Sequence, residues 1–465
     1  MSDLFGVLSS AAGALKAFQS ALDVTQNNVS NSQTPGYVKQ TASLESLSFD
    51  LRGGLNGGVE AGAPQSSRNE YAEAAVRQQV TLLGSSSQLA TSLDPIEQVF
   101  NVTGSGGIGN AIDALFQSFS AWSNSPGDAG AQSAVLNAAA QVSVAFQQAA
   151  KQLGDVRTSV EGDLQTTVQA INQAASEIQK YNIAQRGPTQ PDAGLDAQLN
   201  AALEQLAQYS DVQTLRQPDG TVTVLLGGQV PIVNGDQVNP LSVSYPTPSN
   251  AANPSAAPDA AILDSNGTDV TAKLADGQLG ALLSVHNQAL PQLVGGPSDT
   301  GQLNTLASDL ASAVNGILSN AGGAALFTYN ASPTSAASTL ALNSSLQPGD
   351  LVAADPGPPP VSNGTALKLS SLGNDPSQGP QGQTFTQFYA SMSSWIGNQL
   401  NQAQTASDAQ TQSVAQARAL RQQLSGVSLD EQAMQLIQLQ RSYQAASRLV
   451  TVIDSVLQSV IDMVQ

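Results

Sequence analysis

Apolar residues near the start of the chain recur at Leu4, Leu8, Ala11, Leu15, Phe18, Leu22 and Val29, with Thr25 in the remaining place. The spacing alternates four and three, which is the seam of a coiled coil rather than the wider stripe of an ordinary surface helix. Ser2 reads as the N-cap, and Asp3 suits the positive end of the helix dipole. The helix should stop near Asn31, because Thr34-Pro35-Gly36-Tyr37 reads as a tight turn. Proline presets the first central position there, and glycine permits positive φ at the second.

The far end answers the near one. Ser428-Leu429-Asp430-Glu431 has the pattern of a capping box. Beyond it Leu429, Gln432, Leu436, Leu439, Tyr443, Ala446, Val450, Ile453, Leu457, Val460 and Val464 again alternate three and four, with Gln432 the one clearly polar place. Ile437, Leu449, Val456, Ile461 and Met463 widen this stripe, so the helix should touch more than one neighbour.

Between the ends, residues 70–209 read as mainly helical. The longest helix carries Val135, Ala139, Val142, Phe146, Ala149, Leu153, Val156 and Val160 in heptad spacing. One extra four-residue step through Leu164 and Val168 shifts the phase before Ile171, Ala175 and Ile178, as in a stutter. Gly154 and Gly162 each cost this helix about 1 kcal/mol relative to alanine. Thr221 to Val224 alternates after the turn Pro218-Asp219-Gly220, and with the run Val230 to Val233 it predicts a hairpin or small sheet. Pro246 to Pro258 reads as a loop, and helical signals return at 279–290, 303–318 and from Phe385.

The predicted class is therefore mainly α with a β-containing middle, nested so that both termini build the same outer layer. The expected divisions are a coiled-coil helix and turn over 1–60, a helical bundle over 61–209 and a β-containing outer domain over 210–278. Helices returning to the bundle over 279–323 and a Pro/Gly/Ser-rich loop tract over 324–383 follow. The bundle resumes over 384–424 and the chain closes on a second coiled-coil helix over 425–465.

Composition narrows the function. Only 11% of the 465 residues are charged, against about 25% in typical soluble domains. Such a surface can be covered by a neighbouring copy without desolvating many ions, although a compositional habit of the source would give the same figure. The net charge of -19 and the lack of clustered Lys and Arg argue against nucleic acid or an anionic membrane as partner. The absence of cysteine removes thiolate chemistry, and a single histidine removes any multi-histidine metal site. The start lacks a basic, apolar leader, and the apolar tail from Leu449 is interrupted by Asp454 and Asp462, so neither a cleaved signal nor a membrane span is expected.

No nucleotide, metal or hydrolase motif occurs. The glycine cluster Gly104 to Gly109 follows no strand and has no lysine, so it reads as a connection. His286 reads as an ordinary helix position without a sequence-local partner, and Asp94 with Glu97 as solvated acids on one helix face. Trp122 and Trp395 read as core or interface residues. No catalytic residue, cofactor or metal is expected. The chain reads as a self-assembling structural protein rather than an enzyme.

Four stretches carry a resemblance. Asn27, Asn28 and Asn31 with Thr34, Pro35, Gly36 and Tyr37 are similar to the N-terminal signature of flagellar axial proteins of the rod, hook and junction. The run around Gly426, Ser428, Leu429 and Glu431, with Leu436, Gln440 and Tyr443, resembles the end of the hook-associated protein 1 family. Residues 195–211 and 277–283 resemble the same family. The resemblance implies a junction layer between hook and filament, beside the hook protein and hook-associated protein 3. It also implies type III export to the distal end of the hook, outside the cell, and a chaperone holding the C-terminal helix. Many relatives carry a larger central insertion, so an extra outer domain is not expected from the short tract here. A hook- or rod-type axial protein, or an axial protein carrying a cell-wall hydrolase, stays open as the alternative. The expected assembly surface comprises Leu4, Leu8, Leu15, Phe18, Leu22 and Val29 at one end and Leu436, Leu439, Tyr443, Val450, Ile453, Leu457 and Val460 at the other.

Overall fold

The computed structural model describes residues 2–50, 55–100, 107–186, 192–247, 251–253, 255–332 and 334–464. Helix α1 (Ser2–Ser30) is followed by strand β1 (Gln40–Thr41), the antiparallel pair β2 (Leu44–Asp50) and β3 (Leu55–Ala61), and β4 (Gln65–Ser66), which returns to β1. Four helices come next: α2 (Glu70–Val99), α3 (Ile108–Asn124), α4 (Ala129–Gln185) and α5 (Ala193–Tyr209). Their starts are chemically defined. Asn69 accepts the Ala72 N–H, Asp128 those of Gly130 and Ala131, and Asp192 those of Gly194 and Leu195.

The middle holds a four-stranded antiparallel meander of β5 (Val212–Arg216), β6 (Val222–Leu226), β7 (Val230–Asn234) and β8 (Gln237–Val238). Beside it β9 (Ser242–Ser244) pairs with β10 (Ala261–Leu263). Polar side chains of α4 fix the sheet's place. Asn182 donates to the Val222 and Gly235 carbonyls and accepts the Val222 N–H, while Asn172 makes both backbone bonds of Leu241. These asparagines satisfy buried turn backbone that strand pairing leaves open.

The chain returns through α6 (Gly277–Ser284), a π-turn over Val285–Ala289, α7 (Leu290–Val294) and α8 (Gln302–Asn320). Strands β11 (Phe327–Thr328) and β12 (Ala341–Leu342) pair around the short α9 (Ala336–Thr339), and α10 (Gly364–Leu372) follows. The last two helices are α11 (Phe385–Ser425), opened by a Thr384–Gln387 capping box, and α12 (Leu429–Val464). Helices α2 and α11 run antiparallel, since Asn69 bonds Ser425 at one end and Ser393 bonds the Phe100 carbonyl at the other. A single apolar core runs from Val76 to Val414 and is threaded by α4.

The heptad positions of α4 face that core: Val135, Ala139, Val142, Phe146, Leu153, Val160, Leu164, Ile171 and Ile178 are all buried. Two expectations need correction. Residues 1–60 contain β1, β2 and β3 besides the helix and turn, because Leu44 to Asp50 alternates too poorly to announce a strand. The tract 324–383 is not loop throughout. In α10, Ala366, Leu369 and Leu372 are buried and the helix packs on α3, a pattern too short to register as helical periodicity. Pro246 to Pro258 is irregular as expected, but Asn253 anchors it by bonding the Gly296, Pro297 and Asp299 carbonyls. Within the glycine cluster, 104–106 lie outside the described residues.

Candidate assembly site: the terminal helix pair and its neck

The two chain ends meet. Helices α1 and α12 pack along each other, and Asn28 near the end of α1 bonds Gln432 near the start of α12, so the pair is antiparallel. On α12 the expected seam faces α1. Leu439 and Ile453 are buried, Leu436, Val450, Leu457 and Val460 are partly buried, and Tyr443 stands at 37% exposure. The buried line on α1 agrees with the expected seam at Ala11 and Thr25 and departs from it elsewhere. Ala17, Ala21 and Asn28 are buried instead, while Leu8, Leu15, Phe18 and Leu22 are only partly covered and Val29 is exposed. The cause is a second neighbour, since β3 packs along α1 as well and small residues let it approach. The side chains of residues 2–5, Leu4 and the Ser2 cap among them, lie outside the described residues.

The polar break in the seam is a junction of hydrogen bonds. Asn28 is 1% exposed. Its amide donates to Gln432 Oε1 at 2.9 Å and to the Gln40 carbonyl at 2.8 Å, and its Oδ1 accepts the Gln40 N–H and the Tyr37 hydroxyl. All four capacities of the side chain are used. A buried polar pair in an apolar seam opposes slippage, because any other register would strand both amides.

The turn forms as its residues require. Thr34 accepts the Tyr37 N–H, with Pro35 and Gly36 between them and Gly36 at φ 75°. Asn27, Asn31 and Thr34 form a bonded chain that closes the end of α1. Gly36 also presses on α5, where an added Cβ would lie 2.3 Å from the Ala197 carbonyl oxygen. At the other signature, Ser425 accepts the Lys39 N–H on its carbonyl and the Asn69 N–H on its hydroxyl. Ser428 Oγ accepts the Glu431 N–H at 3.4 Å, but the Glu431 carboxylate pairs with Lys39 at 2.7 Å instead of closing the box. Gly426 sits where a Cβ would strike Gln422, and Leu429 is half exposed. The two signatures thus face one small cavity of about 200 Å³, shared with Glu73 and Arg421.

Below this cavity lies an ionic network that sequence reading missed. Glu73 bonds Arg68 and Arg421, and Arg421 bonds Glu204, which also holds Arg418. Arg68 reaches Asp196 at 2.7 Å and the Gly36 carbonyl at 2.8 Å, and Asp196 passes on to Arg216 and thence Glu70. Burial pushes the Glu204 carboxyl up, but bonds from Arg421 and Arg418 outweigh it and leave the group below its ordinary range. Five of the eight links join residues over a hundred positions apart, and local spacing carries no sign of those.

Other candidates are placed elsewhere. His286 is fully buried in the π-turn, with Nε2 3.2 Å from Glu161 and Nδ1 2.8 Å from Asn287 Oδ1. Its carboxylate partner stands 125 positions away. Asp94 accepts Gln98, and Trp122 is core. Among the described residues, no group of three or more His, Cys, Asp or Glu could hold a metal, and no helix is long and apolar enough to cross a membrane.

Paired terminal helices, a signature neck and a nested body define an axial protein of the bacterial flagellum. Both ends match that class: residues 8–37 match the flagella basal body rod protein profile, and 421–463 match the C-terminal profile of the basal body rod FlgEFG proteins. The helical domain of the flagellar hook-associated protein FlgK matches 93–325, half of the chain, and the chain belongs to that family of structural hook–filament junction proteins. It is 25% identical to flagellar hook-associated protein 1 of Bacillus subtilis over 99% of each chain. It is 24% identical to that of Salmonella typhimurium over 62% of this chain and 52% of the relative. The flagellar hook junction protein FlgK from Burkholderia pseudomallei shares the fold at a TM-score of 0.61 and 17% identity, covering 74% of this chain and 99% of the other.

Proposed function

We propose that the chain forms a thin layer at the distal, extracellular end of the hook, where terminal helices order against those of neighbouring copies. The hook protein lies beneath the layer and hook-associated protein 3 above it. Residues 1–60 and 425–465 build the inner tube and the parts between point outward. The observation that carries this is the exposure left after α1 and α12 pair. Met434, Ile437, Leu449, Val452 and Val456 remain open on α12, and an exposed apolar face of this extent marks an interaction surface. The same helix, unpaired before type III export, needs a cover, which supports an export chaperone there. The Asn28–Gln432 pair supports a register-setting role for α1.

Immunolabelling of isolated hook–basal bodies tests the location, with one narrow band expected at the hook tip; label along a polymer would make it a hook-type subunit instead. Leu436→Glu or Val450→Glu should abolish incorporation or chaperone capture while far-UV circular dichroism of the body is retained. Normal motility and junctions in both variants would refute the surface.

A further inference from the structure

Helix α1 is packed on two sides. Helix α12 covers one, and β3 crosses the other so closely that a Cβ on Gly58 would lie 2.7 Å from Ser10 Oγ. Between α1 and the β2–β3 pair a groove of about 530 Å³ stays open, with Gly13, Lys16 and Ser20 on one wall and Leu47, Val59 and Glu60 on the other. Leu47 is 48% exposed and Phe49, on the same strand face, 69%. The chain's own α12 cannot enter, because it is committed to the other side of α1.

The groove also carries an electrostatic fault. Glu45 and Glu60 are directly paired across the strands. Like charges directly opposite are destabilising. Both are exposed, and neither joins an ion pair among the described residues, Lys16 included. A cation brought from outside would remove the cost.

The outer face of α12 supplies what is missing. Ala445, Leu449, Val452, Val456 and Met463 recur at steps of 4, 3, 4 and 7, and all are exposed. Arg441 and Arg448 flank this stripe, exposed and without an ion pair among the described residues. At 1.5 Å per residue, Leu449 to Met463 spans about 21 Å and the helix wall from Ser9 to Ser20 about 17 Å.

We propose that the groove receives the outer face of α12 from a second copy of this chain, with Leu449, Val452 and Val456 against Leu47, and Arg448 beside Glu45 and Glu60. The proposal rests on the assembly reading above and names its contact. Because two different surfaces of the same chain meet, the interface is heterologous and passes from copy to copy around a layer.

The chain has no cysteine, so Leu47→Cys and Val452→Cys can be introduced alone and together. Flagella isolated from cells carrying the double variant should give a ladder of covalent multimers on mild oxidation, and either single variant only monomer. Monomer alone from the double variant, in particles whose junctions carry the antibody label, would overturn the contact while leaving the junction role intact. A dimer from either single variant would overturn it too. Absence of the label from wild-type junctions would instead sink the assembly reading. As a second arm, Glu60→Arg or Arg448→Glu alone should reduce swimming, and the two together should restore it. Failure of the pair to restore it would count against the contact.

Discussion

Gly36 is constrained twice, by its left-handed backbone and by the Ala197 carbonyl that a side chain would strike. The backbone alone costs an alanine about 1–2 kcal/mol, and the collision adds to it. Gly36→Ala should therefore lower the urea midpoint of the free protein and loosen the neck. Gly154, by contrast, is helical and faces open space, so Gly154→Ala should raise the midpoint by about 1 kcal/mol of stability. Equal effects from the two would mean that neither the backbone of Gly36 nor its approach to Ala197 matters. The neck should also respond to acid. Glu204 is held below its ordinary 4.5 by Arg421 and Arg418 against the opposing effect of burial. A depressed carboxyl contributes stability above its unfolded value and loses it as pH falls through the lower folded value. Melting temperature should thus drop below pH 4.5, and Glu204→Gln should flatten that limb. The turn was legible because proline and glycine act on their own backbone. The ionic network was not, since Arg418 and Arg421 meet Glu204, and Arg68 meets Asp196, only after the body has folded.

At the scale of elements, legibility followed periodicity. Helix α4 was readable position by position because every heptad residue meets the same core. On α1 the same rule found Ala11 and Thr25 but missed Ala17, Ala21 and Asn28, since two partners share the helix and small or polar residues, which carry no periodic signal, mark the closer approach. Strands β2 and β3 were missed for a related reason: glycines and serines take the positions where apolar residues would have shown alternation. The consequence is dynamic. Helix α1 packs chiefly on α12, β3 and β1, and among the described residues none of it joins the main core. An isolated helix pair of this kind opens far below the cost of global unfolding. In the free subunit, α1 and α12 amides should exchange within seconds to minutes while those of α4 are protected for hours or longer. Protection of both alike in a monomer would rule out folding coupled to assembly.

The whole molecule divides at the neck in its energetics as well as its shape. The contiguous core runs from Val76 to Val414 and, among the described residues, includes nothing from α1 or α12, so the body has what it needs to fold without them. What crosses the neck is polar: the Lys39–Glu431 pair, Asn28 with Gln40, and the Ser425 bonds to Lys39 and Asn69. The part-exposed Lys39–Glu431 pair contributes about 1 kcal/mol or less and a hydrogen bond nets about 1 kcal/mol, small beside the burial of several dozen apolar side chains. A chain trimmed to residues 31–428 should therefore melt cooperatively within a few degrees of the full protein, because a change of about 1 kcal/mol moves even a domain of about 150–250 residues by only about 2–4 °C, and a larger one by less. It should nonetheless be absent from junctions in cells. Loss of cooperative melting on trimming would show that the terminal helices hold the body together, and incorporation of the trimmed chain would show that they do not build the layer.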